Sequence, residues 1–301
     1  MPFRSVLKFL LPVFALFWLS GCEIINPPED TPAYLQINKI TVDPRKSATE
    51  TYGSPSNNIV DAWVFANGKL LGAFELPATI PVLESGSVEI AVQAGVYSDG
   101  LSAARFPYGF YTQHYQTVDL IPGQVHTIEP VVQFTPSMKH PYDLYEDFTS
   151  FAGTGSLRVP ASSPYTLEVN HDTLTNFEFA NGAVGVIKAK AGETQPFVIE
   201  SGTSIKLPAN RKPVFLEVDY RTTVNFRIGL LAINNLGQTE PLGLVVVNAS
   251  RDWKKIYVNL TSIVNNPQYS GASFRVFMEG TRQTQANDYM ALDNVRILSL
   301  N

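Results

Sequence analysis

Three features of the sequence predict an all-β protein made of two sandwich domains. Apolar residues alternate with a period of two along much of the chain, the pattern of strands with one buried face. Turn formers are frequent, with 20 glycines and 21 prolines, too many for long helices. Hydrophobic residues make up 45% of the 301 residues, including 18 Phe, 13 Tyr and 3 Trp, enough for two cores and too many for a disordered chain. The net charge of −5 gives no reason to expect nucleic acid as a partner. The single cysteine excludes an internal disulfide framework and a thiolate metal cluster.

Taken in order, the chain opens with Arg4 and Lys8 and then the charge-free run 9–19. That run is well short of the roughly 20 residues needed to span a bilayer and has the anatomy of a secretory signal. It ends in Leu19-Ser20-Gly21-Cys22, which resembles the lipobox of bacterial lipoproteins at every position and uses the only cysteine. The resemblance implies that residues 1–21 are a signal peptide and that Cys22 carries acyl chains such as palmitate. Several such chains anchor a protein stably. Removing residues 1–21 takes away Arg4 and Lys8 but no acid, so the mature surface is more negative and the lipid must do the holding. Residues 22–33, with Pro27, Pro28, Glu29, Asp30 and Pro32, read as a stiff tether. The expected location is the cell envelope, lipid-anchored at the outer membrane and facing either the periplasm or the surface.

Residues 34–135 read as the first domain, a sandwich of immunoglobulin-like or prealbumin-like type. Val60, Ala62, Val64 and Ala66 point one way and Trp63 and Phe65 the other. Asn67-Gly68 follows at once and predicts a two-residue hairpin to 69–74. Val88, Ile90, Val92 and Ala94 alternate cleanly. Pro122-Gly123 predicts a second hairpin between 118–120 and 125–134. The segment 64–72 with 83–90 resembles, in layout, bacterial envelope domains of the PEGA type. The aromatic concentration Phe106, Tyr108, Phe110, Tyr111 and Tyr115 has no period and reads as a loop, either packed on its own domain or exposed as a patch.

Residues 136–141 read as a linker, and 142–301 as a second domain with strands at 184–189, 197–201, 214–220, 225–233, 242–247, 254–260, 273–279 and 289–298. Eight or more strands in one domain fit a jelly roll better than a seven-stranded sandwich. The segment 252–260 and the run Met290-Ala291-Leu292-Asp293-Asn294-Val295-Arg296-Ile297 resemble late strands of jelly-roll carbohydrate-binding modules, and Glu146-Asp147-Phe148 resembles their acidic opening. That likeness implies a polysaccharide as a possible partner. It also implies a structural calcium on Asp147 and Asp293, with Glu146 as a third ligand; the alternative is that these carboxylates are solvated or cap turns.

Aromatic rings are the other candidates, since sugars stack C–H faces on flat side chains. Ile256, Val258 and Leu260 share one strand face; Trp253, Lys255, Tyr257 and Asn259 share the other. If the first face is core, Trp253 and Tyr257 form an outward binding strip, with Tyr220 and Tyr289 as possible neighbours. Otherwise Trp253 packs at the sandwich edge. His114, His126, His140 and His171 lack zinc spacing, and no nucleophile elbow or phosphate loop is present, so catalysis is not expected. The expected function is a non-catalytic envelope lipoprotein that binds a glycan through its jelly roll. The alternative is an assembly or scaffolding lipoprotein whose sandwiches bind other proteins.

Overall fold

The structure is a computed structural model that describes residues 30–149, 156–170, 183–281 and 287–301. The expected signal segment, Cys22 and most of the expected tether lie outside these residues. The described part is almost entirely strand.

The first domain contains β1 (Ala33–Ile37), β2 (Thr41–Asp43), β3 (Asp61–Ala66), β4 (Lys69–Glu75), β5 (Ala78–Val82), β6 (Gly86–Tyr97), β7 (Arg105–Pro107), β8 (His114–Leu120), β9 (Val125–Ile128) and β10 (Val131–Gln133). One sheet runs β4-β3-β6-β7 with β8 also on β6; the other side is formed by β5-β1-β9 and the pair β10-β2. The predicted alternation is obeyed: Ala62, Val64 and Ala66 of β3 and Val88, Ile90, Val92 and Ala94 of β6 are all buried in one core. The Asn67-Gly68 turn joins β3 to β4 with both residues at positive φ (47° and 78°), which Asn tolerates and Gly adopts freely.

Pro122-Gly123 does not close a hairpin. It carries the chain from β8, paired with β6 in one sheet, to β9, paired in parallel with β1 in the other. The predicted strand 125–134 is likewise two strands, divided at Glu129-Pro130. Within the aromatic segment, Tyr108, Phe110 and Tyr111 are buried and Tyr115 is exposed.

The second domain contains β11 (Tyr145–Glu146), β12 (Leu157–Arg158), β13 (Leu167–Asn170), β14 (Val184–Lys188), β15 (Phe197–Ser201), β16 (Val214–Thr222), β17 (Phe226–Ile233), β18 (Thr239–Val247), β19 (Ser250–Asn259), β20 (Ser273–Gly280) and β21 (Tyr289–Ser299). A six-stranded sheet, β13-β14-β21-β16-β19 with β11 on β21, packs on the five-stranded sheet β12-β15-β20-β17-β18. All pairings here are antiparallel. Residues between the domains are packed as well: Met138 is buried and bridges to Leu300, and the Lys139 amide donates to the Ser299 carbonyl.

The two domains share a polar seam. Alternation along β16 sends Val214, Leu216 and Val218 inward and Phe215, Glu217 and Asp219 outward, where the first domain covers them. Glu217 is the hub. Its Oε2 accepts from Arg296 Nε (2.9 Å) and Nη2 (2.8 Å) and pairs with Lys255 Nζ (3.0 Å), while Oε1 accepts from the Tyr108 hydroxyl (2.7 Å). Arg296 Nη1 donates to the Tyr52 carbonyl, and its guanidinium lies 4.8 Å from the Phe134 ring centroid. Burial would raise the Glu217 carboxyl, but Arg296 and Lys255 beside it hold it down at about 2.

Removing one partner from a buried ion cluster strands the others, which costs about 3–5 kcal/mol. Glu217→Ala is therefore expected to lower the melting temperature by roughly 10 °C. A thermal melt showing a drop of only about a degree would mean the seam does not depend on this carboxylate.

Candidate functional site

The outer face of the six-stranded sheet is divided into two halves. At the end marked by Phe215, Tyr257 and Leu298 the first domain covers it, and those three side chains join the first domain's core. Farther along the same strands lie Arg221 on β16, Trp253 on β19 and Ala291 on β21, with Arg221 and Ala291 in direct register. Val186 pairs with Ala291 from the other side, and Lys188 with Tyr289. Val184, Val186 and Ala291 form a small apolar floor, against which Trp253 and Tyr289 pack. Above this floor is a cavity of about 370 Å³, lined also by Asn170, Lys188, Arg221 and the buried Asp288. It falls within the size range of small-ligand clefts and combines a flat apolar base with polar groups.

Trp253 and Tyr257 do share one face of β19, as the alternation predicts, but they do not form a common strip. Tyr257 is 1% exposed. Its hydroxyl accepts from the Asn58 amide (2.9 Å), its carbonyl accepts from the Asp99 amide, and its ring lies 4.9 Å from that of Tyr108. The face opposite a strand's core is open only where no other domain sits on it. Here the first domain does so over Lys255 and Tyr257. Tyr220 faces the second domain's own core, whereas Tyr289 is on the platform with Trp253.

No family model matches this chain, and no curated protein matches it. Among solved structures it is similar to a xylan-binding domain of carbohydrate-binding module family 22, at 14% identity and a TM-score of 0.36, over 54% of this chain and 96% of that one. A family 22 xylan-binding domain from Paenibacillus barcinonensis is 13% identical over 53% of this chain and 95% of that chain, with a TM-score of 0.38. A family 30 carbohydrate-binding module of a Clostridium thermocellum cellulosomal cellulase is 16% identical over 51% and 89%, with a TM-score of 0.33.

The acidic residues expected to hold calcium make the following hydrogen bonds. The two carboxylate oxygens of Glu146 accept from the amides of Phe148 (3.0 Å) and Ser156 (2.8 Å). Asp147 accepts from the Thr149 amide and hydroxyl and from the Tyr145 hydroxyl. Asp293 is fully buried, with Oδ1 accepting from the Asn294 amide (2.7 Å). Among the described residues no three His, Cys, Asp or Glu side chains are placed to share a metal. A calcium ion takes six or more oxygens, and backbone carbonyls can supply part of such a set beside these carboxylates.

What Asp293 and Asn294 do is bend a strand. Asn294 sits at φ 47° where the pairing of β16 with β21 shifts register between Glu217 and Asp219, a β-bulge. The Asn294 amide group then donates to Asp219 Oδ2 (2.8 Å), and Lys255 Nζ reaches Asp219 Oδ1 (3.2 Å). Asp293 lies next to these charges in a dry site. Burial, then the neighbouring Asp219, pushes its carboxyl up to about 8.

An unfolded aspartate releases its proton near pH 4. Between there and about pH 8 only the folded chain keeps it, so this group makes stability fall as pH rises through that window. Asp293→Asn keeps the amide acceptor without the titration. Melts from pH 5 to 8.5 should descend less steeply for the variant than for the wild type, and parallel curves would show that Asp293 ionises normally.

Proposed function

We propose that this protein is a non-catalytic, lipid-anchored glycan-binding protein of the outer membrane, and that the open platform around Trp253 and Tyr289 is its binding surface. The carrying observation is that platform: two half-buried rings over a floor of Val184, Val186 and Ala291, with amide, cationic and carboxylate groups also lining the cavity. A sugar ring has the matching make-up, with apolar C–H faces for the aromatic rings and hydroxyls around the edge for the polar groups. Glycoside hydrolysis usually needs two carboxyl groups flanking the bond. Among the described residues lining the cavity Asp288 is the only carboxylate.

The first domain serves as a spacer in this reading. Its longest strand, β6, has twelve residues and starts beside the point where the chain enters at Ala33. It ends at the seam, where Ser98 bridges to Tyr257. At about 3.3 Å per residue, that holds the second domain roughly 40 Å from the tether.

Two tests separate the parts of this proposal. In affinity gels with plant and bacterial polysaccharides, Trp253→Ala should lose about 1–3 kcal/mol of affinity, by analogy with base stacking on aromatics. Tyr257→Ala should instead cost about 3–5 kcal/mol of folding stability, because its ring is buried. Full retention of Trp253→Ala on every gel that retains the wild type would remove the platform from consideration. For the anchor, Cys22→Ser should abolish labelling by a palmitate analogue and release the protein from membranes. Labelling that persists in the variant would refute acylation at this residue.

A further inference from the structure

Three large aliphatic side chains stand in solvent at one end of the first domain: Leu83 (67% exposed), Ile121 (44%) and Val125 (56%). Leu83 and Ile121 come from two separate turns and Val125 from the first position of β9, and strand pairing brings these segments together. Leu83 follows Val82, which pairs with Ala33. Val125 pairs with Tyr34. The turn containing Ile121 is fastened to the incoming chain by Gly123 N to Pro32 O (2.9 Å) and Tyr34 N to Gln124 O (2.8 Å). Leu120 pairs with Gly86, which sets the 121–124 turn beside the 83–85 turn. All three side chains therefore ring the place where the chain comes in from the tether. Turns favour Gly, Pro, Asn, Asp and Ser, and nothing in the local backbone calls for exposed Leu83 and Ile121 there.

The length of the tether says what these side chains meet. Cys22 precedes Asp30 by eight residues, which span at most about 29 Å when fully extended. An acylated Cys22 would hold this end within one short tether of a bilayer, with the seam and second domain at the far end of β6. We propose that Leu83, Ile121 and Val125 form a seating tip that inserts into the interface of the membrane carrying the anchor, so that the first domain stands on the lipid. This rests on the acylation of Cys22 proposed above. The tether keeps the tip at high local concentration near the surface, so a small apolar footprint suffices. Asp30, Glu84 and Asp119 lie around the tip without a matching basic cluster among the described residues, which favours a zwitterionic surface over a strongly anionic one.

The test uses the full-length, acylated protein in phosphatidylethanolamine–phosphatidylcholine vesicles containing a minor fraction of spin-labelled phosphatidylcholine. With Cys22 blocked by its lipid, an engineered thiol takes an environment-sensitive fluorophore at Val125→Cys or, as a distant control, at Leu236→Cys in the second domain. Quenching should be several-fold stronger at 125 than at 236 and should survive high salt. Adding Leu83→Ser and Ile121→Ser should remove it while the protein still floats with the vesicles. Mass measurement of the Cys22 peptide reports the anchor separately. Acylated, floating protein with equal quenching at both positions would overturn the tip and leave the anchor standing. Unacylated Cys22 would overturn both.

Discussion

The geometry of the whole molecule depends on one buried carboxylate. Glu217 gathers Arg296, Lys255 and Tyr108 at a seam from which water is excluded. Ion clusters of this kind lose much of their attraction to desolvation, so their net contribution to stability is small compared with the penalty for mispairing them. A small rotation of one domain on the other would leave a guanidinium or an ammonium without its partner. The seam thus acts as a lock on orientation. Because the lock occupies one end of the outer sheet face, it also determines which part of that face remains open.

That division explains why the alternation along β19 is correct yet insufficient. The strand pattern places Trp253 and Tyr257 on the same side, and the structure agrees. Which of the two sees solvent is decided by a domain that begins more than a hundred residues earlier, and no local periodicity carries that information. There was a signal of a different kind. Glu217 and Arg296 each sit between apolar neighbours in strands 214–220 and 289–298, where a lone charge is costly and a buried partner is to be expected. What the sequence lacks is the address of that partner, since Tyr52 and Tyr108 come from the other domain.

The same boundary between local and tertiary information runs through the rest of the fold. The Asn67-Gly68 hairpin was fully legible because its geometry is set by two residues. Pro122-Gly123 announced a turn equally clearly, but not that the following strand would join the opposite sheet beside β1. The sandwich class and eight strands of the second domain, β14 to β21, could be read from periodicity, whereas the short strands β11, β12 and β13 could not. The platform could not, because its floor is assembled from β14 and β21, whose register is fixed by pairing rather than by spacing. Asp293-Asn294 stood out as a pair, and its use here is a backbone one: a bulge that aims an amide at Asp219.

The placement of β1 has a mechanical consequence. The strand begins where the tether ends and is flanked along its length by β5 on one side and by β9 on the other over its last four residues. A load applied to the chain ahead of Ala33 would run along the axis of β1 and not across it. Its ladder bonds are then strained together in shear, instead of being peeled apart one pair at a time. Force entering at Ala33 meets β5 first and is shared with β9 from Tyr34 onward, and the strand best placed to carry it further, β6, runs nearly the length of the domain. The start of β1 and the seam with the second domain lie at opposite ends of β6.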